Sequence, residues 1–273
     1  MSNPGPVTAG KPPILQARGL LFRHPGAAAP LFRDLSIAIA PGEFAGVIGP
    51  NGAGKTTLLM LLGGIVAPQR GEASLGGRPV RSIPPRERAR RVAVVFQESR
   101  ILFDFTVLEI ALMRRAPYLR PLGLERPEDF AAARAALRQM DLLDREGTPL
   151  RELSSGERQR ALIARALAQE PSVVLMDEPT AFLDLRHRLQ IYEILARLNR
   201  DDGLTVVASS HDLNMAARYS SRLLLFDRGR LAADGAPAAV LTPDLIRRVY
   251  ATEARIERDP STGALFVVPL APL

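Results

Sequence analysis

Positions 45–62, with the sequence AGVIGPNGAGKTTLLMLL, constrain the fold of this chain more than any other stretch. Ala45–Ile48 is a short apolar run after a Pro-Gly turn signal, which predicts a buried strand. Thr57–Leu62 predicts a helix, which Gly63–Gly64 would end. Between them, Gly49–Thr56 fits the pattern G-x-x-x-x-G-K-S/T in the strand, loop and helix context that this pattern requires. The stretch therefore predicts a phosphate-binding loop.

Each residue type in this loop has a physical role. Gly52 and Gly54 allow backbone N–H groups to turn toward a phosphate, and the N-terminus of the next helix adds a positive dipole. Lys55 can reach the β- and γ-phosphates, and Thr56 offers a hydroxyl to Mg²⁺. The chain has only one other lysine, Lys11, and otherwise uses arginine. The lysine at position 55 therefore indicates a site that needs a compact ammonium group, which arginine cannot supply.

The composition limits the class of protein. With 273 residues, 47% hydrophobic and 24% charged, the chain is expected to be globular, and no apolar run approaches the ~18–20 residues that span a bilayer. The N-terminus has no apolar signal core, so we expect no secretion. The absence of cysteine excludes disulfides and thiolate metal sites.

The net charge of +7 suits an anionic partner, but its distribution does not indicate nucleic-acid binding. The arginines are dispersed, and the densest cluster, at positions 86–91, is interrupted by Glu87. We interpret this cluster as a solvated helix face. No usual DNA- or RNA-binding signature is present.

Two adjacent carboxylates follow a second apolar run. Val173–Met176 predicts a buried strand, and Asp177 and Glu178 come at its carboxyl end, where open α/β sheets bind ligands. Asp177 would hold Mg²⁺ directly or through water, and Glu178 would orient and deprotonate an attacking water.

Two polar residues follow other strand-like runs. Gln97 comes after Val92–Phe96, and a glutamine can contact both a metal and the attacking water. His211 comes after Leu204–Ala208 and two serines, and its imidazole can hydrogen-bond a γ-phosphate oxygen. A lone histidine at a strand end is more often structural, so neither residue decides the function alone.

The segment LSSGE at positions 153–157 predicts a helix start. Ser154 would be the N-cap and Glu157 the third helical residue, which together form a capping box. The phosphate-binding loop by itself is compatible with GTPases, kinases and helicases, so the remaining segments must choose among these classes.

Together these segments resemble the motifs of ATP-binding cassette (ABC) ATPases, in order and spacing, from about Leu15 to Gly235. The matching motifs are Walker A (GPNGAGKT), the Q-loop (VVFQ, ending in Gln97), the signature (LSSGE), Walker B (VVLMDE), the D-loop (AFLD, ending in Asp184) and the switch segment (SSHD, with His211). The resemblance implies ATP and Mg²⁺ as cofactors. The implied ATP-binding residues are Gly49, Pro50, Asn51, Gly52, Ala53, Gly54, Lys55, Thr56, Thr57 and His24. The implied catalytic residues are Glu178, His211 and Gln97. The implied Mg²⁺ ligands are Thr56, Gln97 and Asp177.

The resemblance also implies that the signature acts on another molecule. In this family two subunits pack head to tail, and each signature contacts the γ-phosphate held by the opposite Walker A motif. The trans-acting segment here is Ser154, Ser155, Gly156 and Glu157, in a homodimer. The usual family sequence is LSGGQ, so Ser155 replaces a glycine and Glu157 a glutamine. Ser155 would be strained only at positive φ, and Glu157 would be tolerated if it folds back to cap Ser154.

His24 departs from the family pattern as well. It aligns with an aromatic residue, usually tyrosine, that stacks on adenine. An imidazole can stack over a smaller area, whereas the sequence His24-Pro25-Gly26 can equally be a simple turn.

The expected fold class is α/β, a P-loop NTPase (RecA-like) core with an antiparallel β sub-domain and an inserted α-helical sub-domain. The predicted boundaries are a disordered tail at 1–13, a first segment of the nucleotide-binding core at 14–97, the helical sub-domain at 98–152, a second core segment at 153–235 and a C-terminal extension at 236–273. Pro117, Pro121 and Pro127 are expected as helix breaks. We expect Phe103 and Phe105 to be exposed for docking of a permease.

The C-terminal sequence resembles ATPases that energise bacterial importers of iron–siderophores, haem or cobalamin. This implies a peripheral location at the cytoplasmic face of the cell membrane, with permease subunits as direct partners and a substrate-binding protein as an indirect one. The alternatives are an ABC ATPase for a different cargo and a soluble ABC protein acting on nucleic acid or ribosomes. The chain has one cassette and too little sequence between Thr56 and Leu153 for a long coiled coil, which argues against the soluble alternative.

Overall fold

The computed structural model describes residues 12–96, 104–119, 123–260 and 263–273. The strands are β1 Leu15–Phe22, β2 Phe32–Ile39, β3 Phe44–Ile48, β4 Arg70–Leu75, β5 Arg78–Pro79, β6 Val92–Val95, β7 Val173–Met176, β8 Thr205–Ser209, β9 Arg222–Asp227, β10 Arg230–Gly235, β11 Thr252–Arg258 and β12 Leu265–Pro272. The α-helices are α1 Lys55–Leu62, α2 Pro85–Arg91, α3 Val107–Leu112, α4 Pro127–Gln139, α5 Ser155–Leu167, α6 Leu185–Asp202, α7 Leu213–Tyr219, α8 Pro237–Val240 and α9 Pro243–Tyr250. Short 3₁₀ turns occupy Val80–Ser82, Met113–Arg115, Leu143–Arg145 and Leu150–Glu152.

The chain divides into two compact units. The first unit contains Met1–Ile83 and Thr205–Leu273, and the second contains Pro84–Leu204. The site residues predicted from the sequence are therefore distributed over both units.

The first unit contains an antiparallel sheet with the strand order β2-β1-β4-β5. Burial alternates along β1 in two stretches, Leu15 with Ala17 and Leu20 with Phe22, because successive side chains of a strand point to opposite faces; the pairing register shifts between Ala17 and Leu20. This sheet agrees with the expected antiparallel β sub-domain.

The first unit also contains the strand that precedes the phosphate-binding loop. Strand β3 is buried along its whole length and pairs in parallel with β8 on one side and β9 on the other. A parallel strand covered on both faces is expected to be a continuous apolar run, as the sequence here predicts. Strand β10 adds to β9 in the antiparallel direction.

The C-terminal extension packs against the first unit's parallel strands. Helix α9 and the antiparallel hairpin β11–β12 cover an apolar cluster that includes Ile48, the last residue of β3. Within the extension, Ile246, Val249, Ala254 and Val267 are buried in the same cluster. The extension thus belongs to the hydrophobic core behind the loop.

The second unit combines the parallel pair β6–β7 with helices α2 to α6. Of the prolines expected as helix breaks, Pro117 lies in the turn that follows Met113–Arg115, and Pro127 marks the start of α4, where the missing N–H of proline costs nothing. Helix α2 has no buried residue, which confirms the solvated helix predicted for positions 86–91. No helix within the described residues is long and apolar enough to cross a membrane.

Candidate functional site

Three glycines of the phosphate-binding loop in the first unit have a positive φ, and at Gly52 it is 75°. Gly49 has a φ of 145°, and a Cβ at this position would overlap the backbone of Phe226 on β9. Gly54, with a φ of 106°, is the N-cap of α1 and has no side chain to cap the helix. The first-turn N–H groups of α1 are therefore not capped by an N-cap side chain, as a phosphate site at a helix N-terminus requires.

Lys55 is folded back onto the loop. Its side chain is buried, and Nζ donates hydrogen bonds to the Gly49 carbonyl at 2.8 Å and the Pro50 carbonyl at 3.1 Å. These contacts hold the ammonium group inside the loop that is predicted to surround the phosphates. Thr56, the next residue, is exposed, so its hydroxyl can reach a ligand.

His24 lies beside the first turn of α1. Its Nε2 is 3.1 Å from the Thr57 hydroxyl, and its ring meets that of Phe22 edge to face at 4.9 Å between centroids. The imidazole is thus positioned next to the predicted nucleotide site and remains exposed. Its stacking on adenine stays a prediction.

His211 lies at the same edge of the sheet as the loop. Strands β3 and β8 run in parallel with Val47 opposite Ser209, and the Ser210 N–H donates to the Val47 carbonyl at 3.0 Å. His211 therefore comes two residues after β8 at the edge where Gly49 follows β3 by one residue, and its contact with a phosphate stays a prediction. Asp212 then caps α7.

Asp177 and Glu178 follow β7 in the second unit. The Asp177 N–H donates to the Val95 carbonyl of the neighbouring strand at 2.8 Å, and the residue is 5% exposed. Glu178 adopts a left-handed backbone with a φ of 50°, which costs about 1–3 kcal/mol for a residue other than glycine. Such strain is common at functional sites, where the surrounding structure holds a side chain in one direction.

The signature segment begins helix α5 as the sequence predicts, with a complete capping box. The Ser154 Oγ accepts from the Glu157 N–H at 3.3 Å, and the Ser154 N–H donates to Glu157 Oε2 at 2.9 Å. Ser155 is the first residue of the helix, so its backbone is right-handed and the replacement of the family glycine causes no strain at positive φ.

The capping box also uses the hydroxyl proton of Ser154. The Ser154 Oγ lies 2.7 Å from Glu157 Oε2, and because a carboxylate can only accept, the hydroxyl donates. These hydrogen bonds, first the side-chain bond and then the backbone bond, lower the pKa of Glu157. The family resemblance implies that the signature segment contacts the γ-phosphate of the opposite subunit, and donation by the Ser154 hydroxyl would require it to leave Glu157 first.

Asp184 of the D-loop is the N-cap of α6. It accepts a hydrogen bond from the His187 N–H at 2.9 Å, and His187 Nδ1 lies 2.9 Å and 3.0 Å from its two carboxylate oxygens. The imidazole of His187 also packs on Gly156 of the signature. Sequence reasoning did not identify His187, because its only signal is its position three residues after an N-cap.

The C-terminal extension contacts the helix that follows the switch segment, and sequence reasoning did not identify this contact. Asn214 of α7, three residues after His211, accepts a hydrogen bond from the Val267 N–H of β12 at 2.8 Å. Burial raises the pKa of the Tyr250 hydroxyl, and the Gly49 backbone partly offsets this rise.

Several predictions concern residues outside the described ranges of the chain, among them the helix break at Pro121 and positions 1–11 of the predicted tail. Gln97 and Phe103 also lie outside these ranges. Phe105 lies within the described residues and is half-buried. The prediction that Phe105 is exposed is therefore wrong.

Comparison with known proteins identifies the family. The family model described as ABC transporter matches residues 32–181. The hemin import ATP-binding protein HmuV of Nocardia farcinica is 42% identical, over 94% of this chain and 89% of its own. The ferric enterobactin transport ATP-binding protein FepC of Escherichia coli is 38% identical, over 87% of this chain and 88% of its own.

Solved structures agree with the sequence comparison. A metal-chelate type ABC transporter in an inward-facing conformation has a TM-score of 0.83 at 26% identity, covering 96% of this chain and 98% of that one. The dimeric ATP-binding cassette MJ0796, bound to ADP and Pi, has a TM-score of 0.73 at 27% identity, covering 82% and 98%. The chain belongs to the ABC transporter family and is an ATPase of that family.

Proposed function

We propose that this chain is the ATP-hydrolysing subunit of an importer for a metal chelate, an iron–siderophore, haem or cobalamin. The observation that carries the proposal is the similarity along nearly the whole chain to relatives named as hemin, cobalamin and ferric enterobactin import ATP-binding proteins. The solved structure of a metal-chelate type ABC transporter supports the same class of cargo.

In this proposal each residue group has one task in hydrolysis. The loop from Gly49 to Thr57 binds the phosphates of ATP, with Lys55 as the cation beside them. Glu178 orients the attacking water and accepts its proton, and His211 and Gln97 contact the γ-phosphate and the water. The left-handed backbone of Glu178 supports its assignment, because such strain persists where the surrounding structure holds a functional residue in place.

Mg²⁺ fits the oxygen donors that the chain offers. Thr56 presents an exposed hydroxyl and Asp177 a carboxylate at a strand terminus, and hard oxygen ligands of this kind suit the ion. Thr56, Asp177 and Gln97 would hold it. When bound, the ion neutralises charge on the phosphate oxygens.

The active form in this proposal is a head-to-tail homodimer docked on permease subunits at the cytoplasmic face of the cell membrane. Two exposed apolar residues support contact with a second copy: Phe182 within the D-loop is 92% exposed, and Leu185 directly after it is 62% exposed. The transported molecule would reach the permease through a substrate-binding protein. The alternative, a soluble ABC protein acting on nucleic acid or ribosomes, has no feature in its favour beyond the net positive charge.

The substitution Glu178→Gln tests the proposed catalytic assignment. The variant should bind ATP normally but hydrolyse it about 10²–10⁴ times more slowly, because the amide cannot accept a proton from water. It should also accumulate as an ATP-bound dimer in analytical ultracentrifugation, whereas the double variant Glu178→Gln with Lys55→Ala should remain monomeric. Hydrolysis near the wild-type rate would remove Glu178 from this role.

The cargo is tested by uptake. Cells lacking the gene should lose import of one among labelled iron–siderophore, haem and cobalamin, and regain it with the wild-type chain but not with Glu178→Gln. Unchanged uptake of all three, with normal ATPase activity of the purified protein, would leave the enzyme assignment intact and refute this cargo class.

A further inference from the structure

His187 lies where two predicted site segments of the second unit meet. It is in the first turn of α6, three residues after Asp184 of the D-loop, and its ring packs on Gly156 of the signature segment. None of the motifs read from the sequence gives this residue a task.

The contact with Asp184 fixes the orientation of the imidazole. The His187 backbone N–H donates to Asp184 Oδ1, and Nδ1 lies within 3.0 Å of both carboxylate oxygens. A carboxylate can only accept hydrogen bonds, so Nδ1 carries a hydrogen and donates. The backbone and then the side-chain hydrogen bond of His187 lower the pKa of Asp184, so the pair is held with the carboxylate ionised.

The contact with Gly156 explains why this position has no side chain. Gly156 is buried, whereas Ser154 and Ser155, the two residues before it, are exposed. A Cβ at Gly156 would point into the imidazole, 2.8 Å from Nε2 and closer still to the ring carbons Cδ2 and Cγ. The side chain of His187 is 24% exposed, so most of the ring is covered.

We propose that His187 is a positioning residue that joins the N-terminus of α5 to the N-terminus of α6. Gly156 and Asp184 then meet an opposing subunit as one preformed surface. The gain is preorganisation, since segments ordered beforehand lose less conformational freedom on association. The inference rests on the proposed function, because it assumes that both segments face a second copy of the chain.

ATP-driven dimerisation of Glu178→Gln, which does not depend on hydrolysis, tests the role of His187. Adding His187→Ala should raise the ATP concentration for half-maximal dimer by about three- to tenfold, the effect of losing one or two modest contacts. ATP binding to the monomer should be unchanged, because the phosphate-binding loop belongs to the other unit. The matched control is Gln190→Ala, one turn further along α6, which should dimerise like the parent.

Two outcomes would overturn the positioning role. One is dimerisation of the His187→Ala variant at the same ATP concentration as the control. The other is a loss of monomer ATP binding and thermal stability in parallel with dimerisation, which would indicate a merely structural residue.

Two conservative variants separate the contributions of the ring. His187→Asn keeps a donor close to the position of Nδ1 but leaves Gly156 uncovered, and His187→Phe keeps a ring over Gly156 but cannot donate to Asp184. Each should fall between the wild-type residue and alanine in the dimerisation assay. Full rescue by asparagine alone would show that packing on Gly156 is unnecessary and that the two helices are not joined through this ring.

A double-mutant cycle on stability tests the contact without any dimer. Gly156→Ala should destabilise the chain toward urea, because the new methyl group overlaps the imidazole, and His187→Ala should relieve that overlap. The double variant should then be less destabilised than the sum of the single variants. Additive effects would refute the contact. A non-additive cycle together with a Glu178→Gln variant that fails to dimerise would instead refute the proposed function and retain the contact.

Discussion

Glu157 shows how one residue can serve the fold and restrain the site at once. Its carboxylate caps the Ser154 N–H at 2.9 Å and accepts from the Ser154 hydroxyl at 2.7 Å. An anion at a helix N-terminus is stabilising, by about 0.3–1 kcal/mol. The same carboxylate accepts the hydrogen bond that the Ser154 hydroxyl would otherwise donate to a ligand. It also places a negative charge where the proposed function requires a phosphate.

The variant Glu157→Gln should therefore separate stability from activity. At neutral pH the free energy of unfolding should fall by about 0.3–1 kcal/mol, because the charge at the helix N-terminus is lost. ATP hydrolysis should rise about two- to fivefold, since Ser154 is released more easily to donate to the γ-phosphate. The measurements are urea unfolding and steady-state ATPase rates.

A second capping box provides the matched control. Thr106 and Glu109 at the start of α3 have the same arrangement, with the Thr106 N–H and hydroxyl 2.7 Å and 2.8 Å from Glu109 Oε2. Glu109→Gln should also lower stability but leave hydrolysis unchanged. Equal effects of the two variants on hydrolysis would contradict the special role of Glu157.

The pH dependence of the two capping boxes should have the same sign. The pKa of each glutamate is lower in the folded chain than its ordinary value of 4.5. Each carboxylate therefore stabilises the fold above pH 4.5, and this contribution is lost as the pH falls through the lower pKa of the folded state. The corresponding glutamine variants should lose less stability on acidification than the wild type.

At the scale of the elements, a buried arginine holds the helices of the second unit together. Arg115, which follows α3, is 4% exposed and donates to Asp129 of α4 at 3.0 Å and to the Ala168 carbonyl at the end of α5 at 2.8 Å. It also donates to Glu170 at 2.6 Å. Three elements thus share one guanidinium group.

Replacing Arg115 by methionine should be strongly destabilising. The carboxylate of Asp129, 1% exposed, would lose its buried partner, and breaking such a pair costs about 3–5 kcal/mol. The exposed pair Arg134–Glu146 of the same unit is the control, and Arg134→Met should change the urea midpoint far less. Similar midpoints for the two variants would contradict the structural role of Arg115.

At the scale of the whole molecule, the proposed sites each combine residues of two copies. Tagged mixed dimers test this arrangement with Ser154→Arg and Lys55→Ala. When the two substitutions are on different subunits, one site keeps neither Lys55 nor Ser154, whereas the other keeps both, so one nucleotide per dimer should be occluded. When both are on the same subunit, no complete site remains.

The reverse result would contradict the trans arrangement. If each site were built from a single subunit, placing both substitutions on one subunit would preserve the other site, and distributing them would destroy both. The measurement is the amount of labelled ATP retained by each purified mixed dimer in the Glu178→Gln background.

The sequence alone determined the features that are local along the chain. The strand, loop and helix around Lys55 and the capping box at Ser154 and Glu157 were predictable, because their hydrogen bonds join residues a few positions apart. The predicted helix began two residues too late, at Thr57 instead of Lys55, because helix ends are the least constrained positions of such patterns. The β and α/β character of the fold followed from the same local patterns.

Only the tertiary structure decided which distant residues touch. Gly156 is glycine because His187 packs on it, and Gly49 is glycine because the backbone of Phe226 approaches it. Phe105 is half-buried and Arg115 is buried because of neighbours that their own sequence context does not specify. Such contacts depend on how separate elements pack, and close packing of side chains across elements leaves no periodic signal in the sequence.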